Sequence, residues 1–277
     1  MKLRTSPNGQ AMPGPTQAFG KEAFEVIDHT EIRWLGNASL LINSRGTNLL
    51  IDPILDGFDM PLLIDMPIKS KEIPQVDALL ISHIDGDHLS FETLANIKDV
   101  TKSYHAPTYV ADVMTEAGYP TSEHAVGASF DVADIRITTT PTIHNWQNEM
   151  TKPKYTFREW KVEEYVGYWM ETSDGTIWLP SDSKLMSEHL EMPEPDVILF
   201  DFSDNEWHIT YDGAVKLANT YPNAELICIH WGSVDAADWS TFNGNPADLL
   251  EDVLNPERVH ALAPGEKFVL PKKPNTP

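Results

Sequence analysis

At 277 residues and 41% hydrophobic content, the chain is long enough for one large domain or two small ones and can fill an ordinary soluble core. Its 42 acidic residues against 20 basic ones leave a formal charge of −22, which argues against a nucleic-acid partner, since such binding draws on clustered Lys and Arg. No apolar run approaches the roughly 20 residues of a membrane helix, and the opening residues lack the apolar stretch of a secretion signal. A cytoplasmic protein with a small-molecule substrate is therefore expected, and a homo-oligomer is compatible with the sequence.

Residues 1–22 carry several Pro and Gly and read as a flexible lead, with 23–277 as a single domain. The short apolar runs "EIRWLG", "ASLLINS" and "TNLLIDP" are divided by turn residues, which predicts antiparallel strands over 31–36, 38–44 and 47–53. Residues 53–75 hold several prolines and no sustained period, so a loop is expected to cross an open face there, followed by a strand over 76–83. Ser90 is placed to cap a helix over 91–98, and a second helix is predicted over 107–118, ending at Gly118.

The second half repeats this style without repeating the sequence. Strands are predicted over 134–142, 164–173, 175–181, 196–202 and 225–231, with helical segments around 182–190, 211–221 and 246–254. Strand clusters alternating with helices imply a layered α/β architecture. The single cysteine, Cys228, lies in the apolar "ELICIHW" and reads as a buried thiol.

The densest chemistry lies in "ISHIDGDHLS", residues 81–90. Side chains two apart on a strand share a face, so His83 and Asp85 can point to one side. Asp87 and His88 follow in the turn before the helix, where neighbours diverge and can serve a second point in space. The spacing suits two cations a few Å apart, each needing further ligands from elsewhere in the chain.

At this point the sequence resembles the metallo-β-lactamase fold superfamily, whose hallmark is His-x-His-x-Asp-His. "WLGNASLLINSRGTNLLIDP" is similar to the opening hairpins of its lactonase-like and phospholipase-D-like branches, and "TPTIH", "GYWMETSDGTIWLPSDS", "ICIHWGS" and "HALAPGEKFVL" follow in the family's order. The resemblance implies a four-layer αββα sandwich and a binuclear centre. Carried over position by position, His83, Asp85 and His144 would hold one divalent metal, Asp87, His88 and His230 a second, and Asp182 would bridge them. Zinc or manganese is implied, with iron as the further candidate.

Asp85 departs from the pattern, standing where the family usually has its second histidine. A carboxylate is harder than imidazole and shifts the first site towards manganese or iron. Asn37 replaces a histidine common in the lactonase-like branches, and Ser181 a frequent glycine. Asp52 matches a family aspartate that would support a ligand histidine from behind. His208 lies near a family histidine that would protonate a leaving group or hold the substrate's polar end. His105, His124, His189 and His260 fit no ligand position. The polar and aromatic stretch 145–165 is expected at the pocket rim, with Trp146 and Trp160 as candidates for substrate contact. The implied reaction is hydrolysis, with Asp87 and His208 as catalytic candidates and a hydroxide between the metals attacking a small ester, most readily a lactone. A phosphodiesterase of the same fold is the alternative, and Asp85 raises a di-iron oxidase or oxygenase as a further one.

Overall fold

The computed structural model describes residues 1–271. A lead hairpin pairs β1 (Arg4–Thr5) with β2 (Ala11–Met12). The first large sheet takes β3 (Thr30–Gly36), β4 (Ser39–Ser44), β5 (Thr47–Ile51), β6 (Ala78–Leu80), β7 (Tyr104–Ala106) and β8 (Thr121–Glu123). The second takes β9 (Ser129–Val132), β10 (Ile135–Pro141), β11 (Val166–Glu171), β12 (Thr176–Leu179), β13 (Val197–Phe200), β14 (Glu225–Cys228) and β15 (Val259–His260). Last, β16 (Lys267–Val269) returns antiparallel to β3 at the edge of the first sheet. Each sheet begins with antiparallel pairs and ends in parallel ones: β3 to β5 then β5 to β8, and β9 to β12 then β12 to β15.

Strand alternation decides which layer each side chain enters. In β4, Leu40 and Ile42 face the second sheet, in one cluster with Ile137, Tyr168 and Trp178. Leu41 points the other way and joins Leu50 and Leu79 against α1 (Phe91–Ile97) and α2 (Thr108–Glu116), through Leu94, Ile97, Val110 and Met114. The sheets are thus apolar on both faces, as the near-continuous runs "SLLI" and "ALLI" require. After a single-turn α3 (Pro153–Thr156), α4 (Tyr211–Thr220) covers the second sheet with Ala214, Leu217 and Ala218, and α5 (Leu249–Asp252) adds Leu249. The result is the four-layer αββα sandwich.

Three elements differ from expectation. The strand over 76–83 is regular only at 78–80, because Ser82 N turns aside to Asp52 Oδ1 at 2.7 Å. The helix around 182–190 is a 3₁₀ turn at Glu188–Leu190: Lys184 N donates to Ile143 O at 2.9 Å, so the chain after Asp182 is tied to another loop instead of to itself. The helix around 246–254 is the single turn α5. Cys228 is buried, as read.

The first 22 residues, expected as a flexible lead, make specific contacts. Gln10 is buried and uses its whole amide: Nε2 donates to Val234 O at 2.9 Å and Phe242 O at 3.0 Å, and Oε1 accepts from Ala236 N at 3.2 Å. Gly232, at φ +60°, lies where a Cβ would come within 3.0 Å of Ala11 O, a close approach suited to glycine. The lead therefore clips the loop after β14. Gln10→Ala would leave Val234 O and Ala236 N without the partner they have here, while Phe242 O keeps Gly232 N, so it should lower stability by about 2 kcal/mol and Tm by roughly 5 °C in scanning calorimetry. An unchanged Tm would show that the clip carries no stability.

Candidate metal centre

The candidate side chains gather where strands end. Asp52 follows β5, the 83–88 cluster follows β6, His144 follows β10, Asp182 follows β12, and His230 follows β14. At such an edge side chains leave the sheet while the ladder behind holds their backbone, so polar groups from distant segments can converge. Asn37, Asp52, Ser181 and His230 all have positive φ, from 44° to 62°. Left-handed backbone at a non-glycine residue costs on the order of 1–3 kcal/mol, and strain of this kind concentrates at functional sites. The φ of Ser181 also accounts for a glycine being favoured at that position.

The buried histidines present Nε2 inward, and their outer nitrogens fix the tautomer. His144 Nδ1 donates to Trp207 O at 2.9 Å and His230 Nδ1 to Thr241 O at 3.1 Å, both carbonyls that can only accept. His88 Nδ1 donates to Asp52 Oδ2 at 2.9 Å. Ser82 Oγ gives its one proton to Asp52 Oδ2 at 2.6 Å, so it accepts from His83 Nδ1 at 2.9 Å. In the neutral rings, every Nε2 is then a lone pair. These lone pairs face carboxylate oxygens: His88 and His230 lie 3.1 and 3.3 Å from Asp182 Oδ2, His230 lies 3.2 Å from Asp87 Oδ2, and His144 and His83 lie 3.3 and 3.5 Å from Asp85 Oδ2. His83 Nε2, fully buried, has no hydrogen-bond partner among the described residues.

Acceptors facing acceptors in a largely buried site call for positive charge between them. Without a cation, protons must supply it. Burial opposes the charged form of His88, but Asp182, Asp87 and Asp52 outweigh it and hold its pKa well above the usual value. For His230, burial is likewise outweighed, by Asp182 and Asp87 foremost, and its pKa rises to about 9. Burial would raise the carboxyl of Asp182, yet His230, His88 and His208 hold it well below the usual range. Three overlapping donor groups could hold a metal ion, each with ligand atoms within 4.8 Å of one another: Asp87, His88, Asp182 and His230; His83, His144 and Asp182; and Asp201, His208 and His230. Asp182 belongs to the first two.

Asp85 is held from outside. Its Oδ2 accepts from Trp146 Nε1 at 2.7 Å and its Oδ1 from Gln147 Nε2 at 2.6 Å. Trp146 thus both orients Asp85 and lines the cleft. Trp160 is buried, donates to Tyr155 O at 2.7 Å and pins the 145–165 stretch, while one face lines a second part of the cleft. Asn37 Nδ2 donates to Asp87 O at 3.1 Å, and its backbone carbonyl accepts from His230 N at 2.8 Å, so it steadies two candidate ligands.

His208 is buried rather than facing solvent. Its Nδ1 donates to Asp201 Oδ2 at 2.7 Å and its Nε2 lies 3.8 Å from Asp182 Oδ2. Asp201 Oδ1 is anchored in turn by Ser203 N at 2.9 Å and Ser203 Oγ at 2.6 Å. Asp201 is not among the residues that the sequence singles out, although it follows the apolar run "VILF" as Asp182 and His230 follow theirs. Nor are Gln147, Trp207, Trp239 and Thr241, which no local pattern marks. The other histidines stand apart from the centre: His105 Nδ1 meets His124 Nε2 at 2.9 Å, His189 faces Pro141 O, and His260 faces Glu225.

Comparison with known proteins follows the same lines. The family model described as "Beta-lactamase superfamily domain" matches residues 47–231. A relative from Anaeromyxobacter dehalogenans, named "UPF0173 metal-dependent hydrolase", is 24% identical over 252 residues, covering 86% of this chain and 85% of its own. Among solved structures, the metallo hydrolase Igni18 of Ignicoccus hospitalis superposes with a TM-score of 0.69 at 15% identity, over 88% of this chain and 99% of that one. CmlA, a diiron β-hydroxylase from Streptomyces venezuelae, superposes with a TM-score of 0.60 at 13% identity, over 82% of this chain and 50% of that one. At these identities the structures establish the shared fold. No helix among the described residues is long and apolar enough to cross a membrane.

Proposed function

The chain belongs to the metallo-β-lactamase superfamily, and from that premise we propose that it is a binuclear metallohydrolase of small carboxylic esters, lactones among them. The observation that carries this reading is the ring of imidazole lone pairs and carboxylates, a donor set that two cations would satisfy in place of protons. Two divalent cations held by His83, Asp85 and His144 and by Asp87, His88 and His230, with Asp182 shared, would supply Lewis acidity and an acidified water near neutral pH. The carboxylate of Asp85 favours manganese or iron over zinc on its side. His208, fixed by Asp201, directs Nε2 toward the cleft and is placed to carry a proton to a departing alkoxide, with Asp201 stabilising the imidazolium.

An uncharged ester suits the cleft better than a phosphodiester. Among the described residues, the lysines lining it are Lys152 and Lys154, both exposed, and no arginine lines it for bidentate phosphate recognition. The −22 formal charge likewise favours a small, uncharged substrate over nucleic acid.

Protein purified without added metal or chelator should hold close to two equivalents of metal per chain. Chelation followed by dialysis should abolish hydrolysis of p-nitrophenyl esters, and manganese or zinc should restore it. Full activity in metal-stripped protein would overturn the reading. A second reading, a di-iron oxygenase, is favoured by Asp85 together with the likeness to CmlA; iron in the purified protein and substrate-dependent oxygen uptake would select it.

A further inference from the structure

The cleft above the centre has two lobes. One, of about 470 Å³, opens over His144, Asp182 and His208. The other, of about 520 Å³, runs outward past Ile84 and Gly86. Asp85, Asp87, Trp146, Tyr155, Trp239 and Phe242 line both, so the lobes meet over the candidate metal ligands. Aromatic pairs frame the junction: Trp146 packs edge to face on Tyr155 at 4.9 Å, and Trp239 stacks on Phe242 at 6.2 Å.

Both lobes are mainly apolar and differ in their polar groups. The outer one is walled by Phe58, Met60, Ile84 and Trp160, with the exposed Asp59 also lining it. Its buried polar member, Gln147, already donates to Asp85 and accepts from Tyr165 Oη at 2.7 Å, which leaves little for a polar ligand to pair with. Lys154 is exposed, with Nζ 4.5 Å over the Tyr155 ring. The inner lobe offers Asn205, Ser240 and Thr241 beside the histidines. Ligand cavities of about 300–1,000 Å³ enclose drug-sized molecules, so a bare lactone ring would fill a small part of either lobe.

We propose that the substrate is an elongated ester or substituted lactone, with its scissile carbonyl at the junction, an aryl or alkyl arm in the Phe58–Trp160 lobe, and a smaller polar part beside Asn205 and Thr241. This rests on the hydrolase reading above. Water is consumed: its hydroxyl joins the acyl carbon as the C–O bond breaks, and its proton leaves on the alcohol.

The test pairs kinetics with binding on the metal-reconstituted enzyme. Across p-nitrophenyl acetate to octanoate, kcat/KM should rise about threefold per methylene until the lobe fills. In calorimetry, the affinity of the free carboxylates should rise from acetate to octanoate. In Met60→Trp, which fills the lobe, the octanoate-to-acetate ratio should fall by at least tenfold in both experiments. Hydrolysis with a flat chain-length profile, or a profile that Met60→Trp leaves intact, would overturn the assignment and leave the hydrolase reading standing. No hydrolysis but rising affinity that Met60→Trp removes would overturn the hydrolase reading and retain the lobe as an apolar binding site. Flat affinity without hydrolysis would overturn both.

Discussion

Asp182→Asn should lower kcat/KM for ester hydrolysis by on the order of a thousandfold, about 4 kcal/mol of transition-state stabilisation. Its Oδ2 lies 3.1 Å from His88 Nε2, 3.3 Å from His230, 3.8 Å from His208 and 3.9 Å from His144, so one oxygen faces imidazoles from both halves of the centre. Asparagine keeps the size but removes the charge that lets one residue serve two cations. The metal-induced rise in Tm should shrink as well. A ligand at a hundred times its Kd stabilises by about 2.7 kcal/mol, and a tenfold weaker affinity removes roughly half of that. Calorimetry with and without manganese, read beside kcat/KM, separates loss of binding from loss of chemistry. Wild-type kinetics in this variant would remove Asp182 from the centre.

How much was legible in advance follows from how locally each feature is encoded. The apolar runs of β3 to β5 and β10 to β14 are written in consecutive residues, so those strands are readable. By contrast, β7 and β8 are three residues each, and the polar "TSE" of β8 sits at a sheet edge where no second layer demands an apolar face. The segment after Asp182 carries a helical pattern that its tie to Ile143 overrides. Within the site, the 83–88 cluster announces itself because four candidate ligands, two histidines and two aspartates, stand within six positions. Asp201 does not, because its meaning depends on His208 arriving seven residues later to meet it at 2.7 Å. The role of Gln10 is further from reach, since its partners lie more than 220 residues away.

Asp85→Ala should halve the metal content, from two equivalents to one per chain after desalting, and lower kcat/KM by at least about a hundredfold, or 2.7 kcal/mol. Burial would raise the carboxyl of Asp85, but His144 and His83 hold it well below the usual carboxylate range, so it is ionised at any working pH. The indole of Trp146 and the amide of Gln147 fix its direction, leaving Oδ2 facing His83 and His144. These neutral donors draw off some electron density, which weakens Asp85 as a ligand while positioning it; positioning of this kind supports metal sites from behind. The two effects oppose, and the variant weighs them. The site of Asp87, His88 and His230 does not use Asp85, so one metal should remain. Retention of both metals with unchanged kinetics would show that Asp85 only anchors the 145–165 stretch. Asp85→His sharpens the outcome: it restores the family's usual ligand, yet imidazole with Nε2 inward carries its proton on Nδ1, an outer donor set against the donors of Trp146 and Gln147. That variant should shift preference from manganese toward zinc, while the two unpaired donors loosen the wall that the two cleft lobes share.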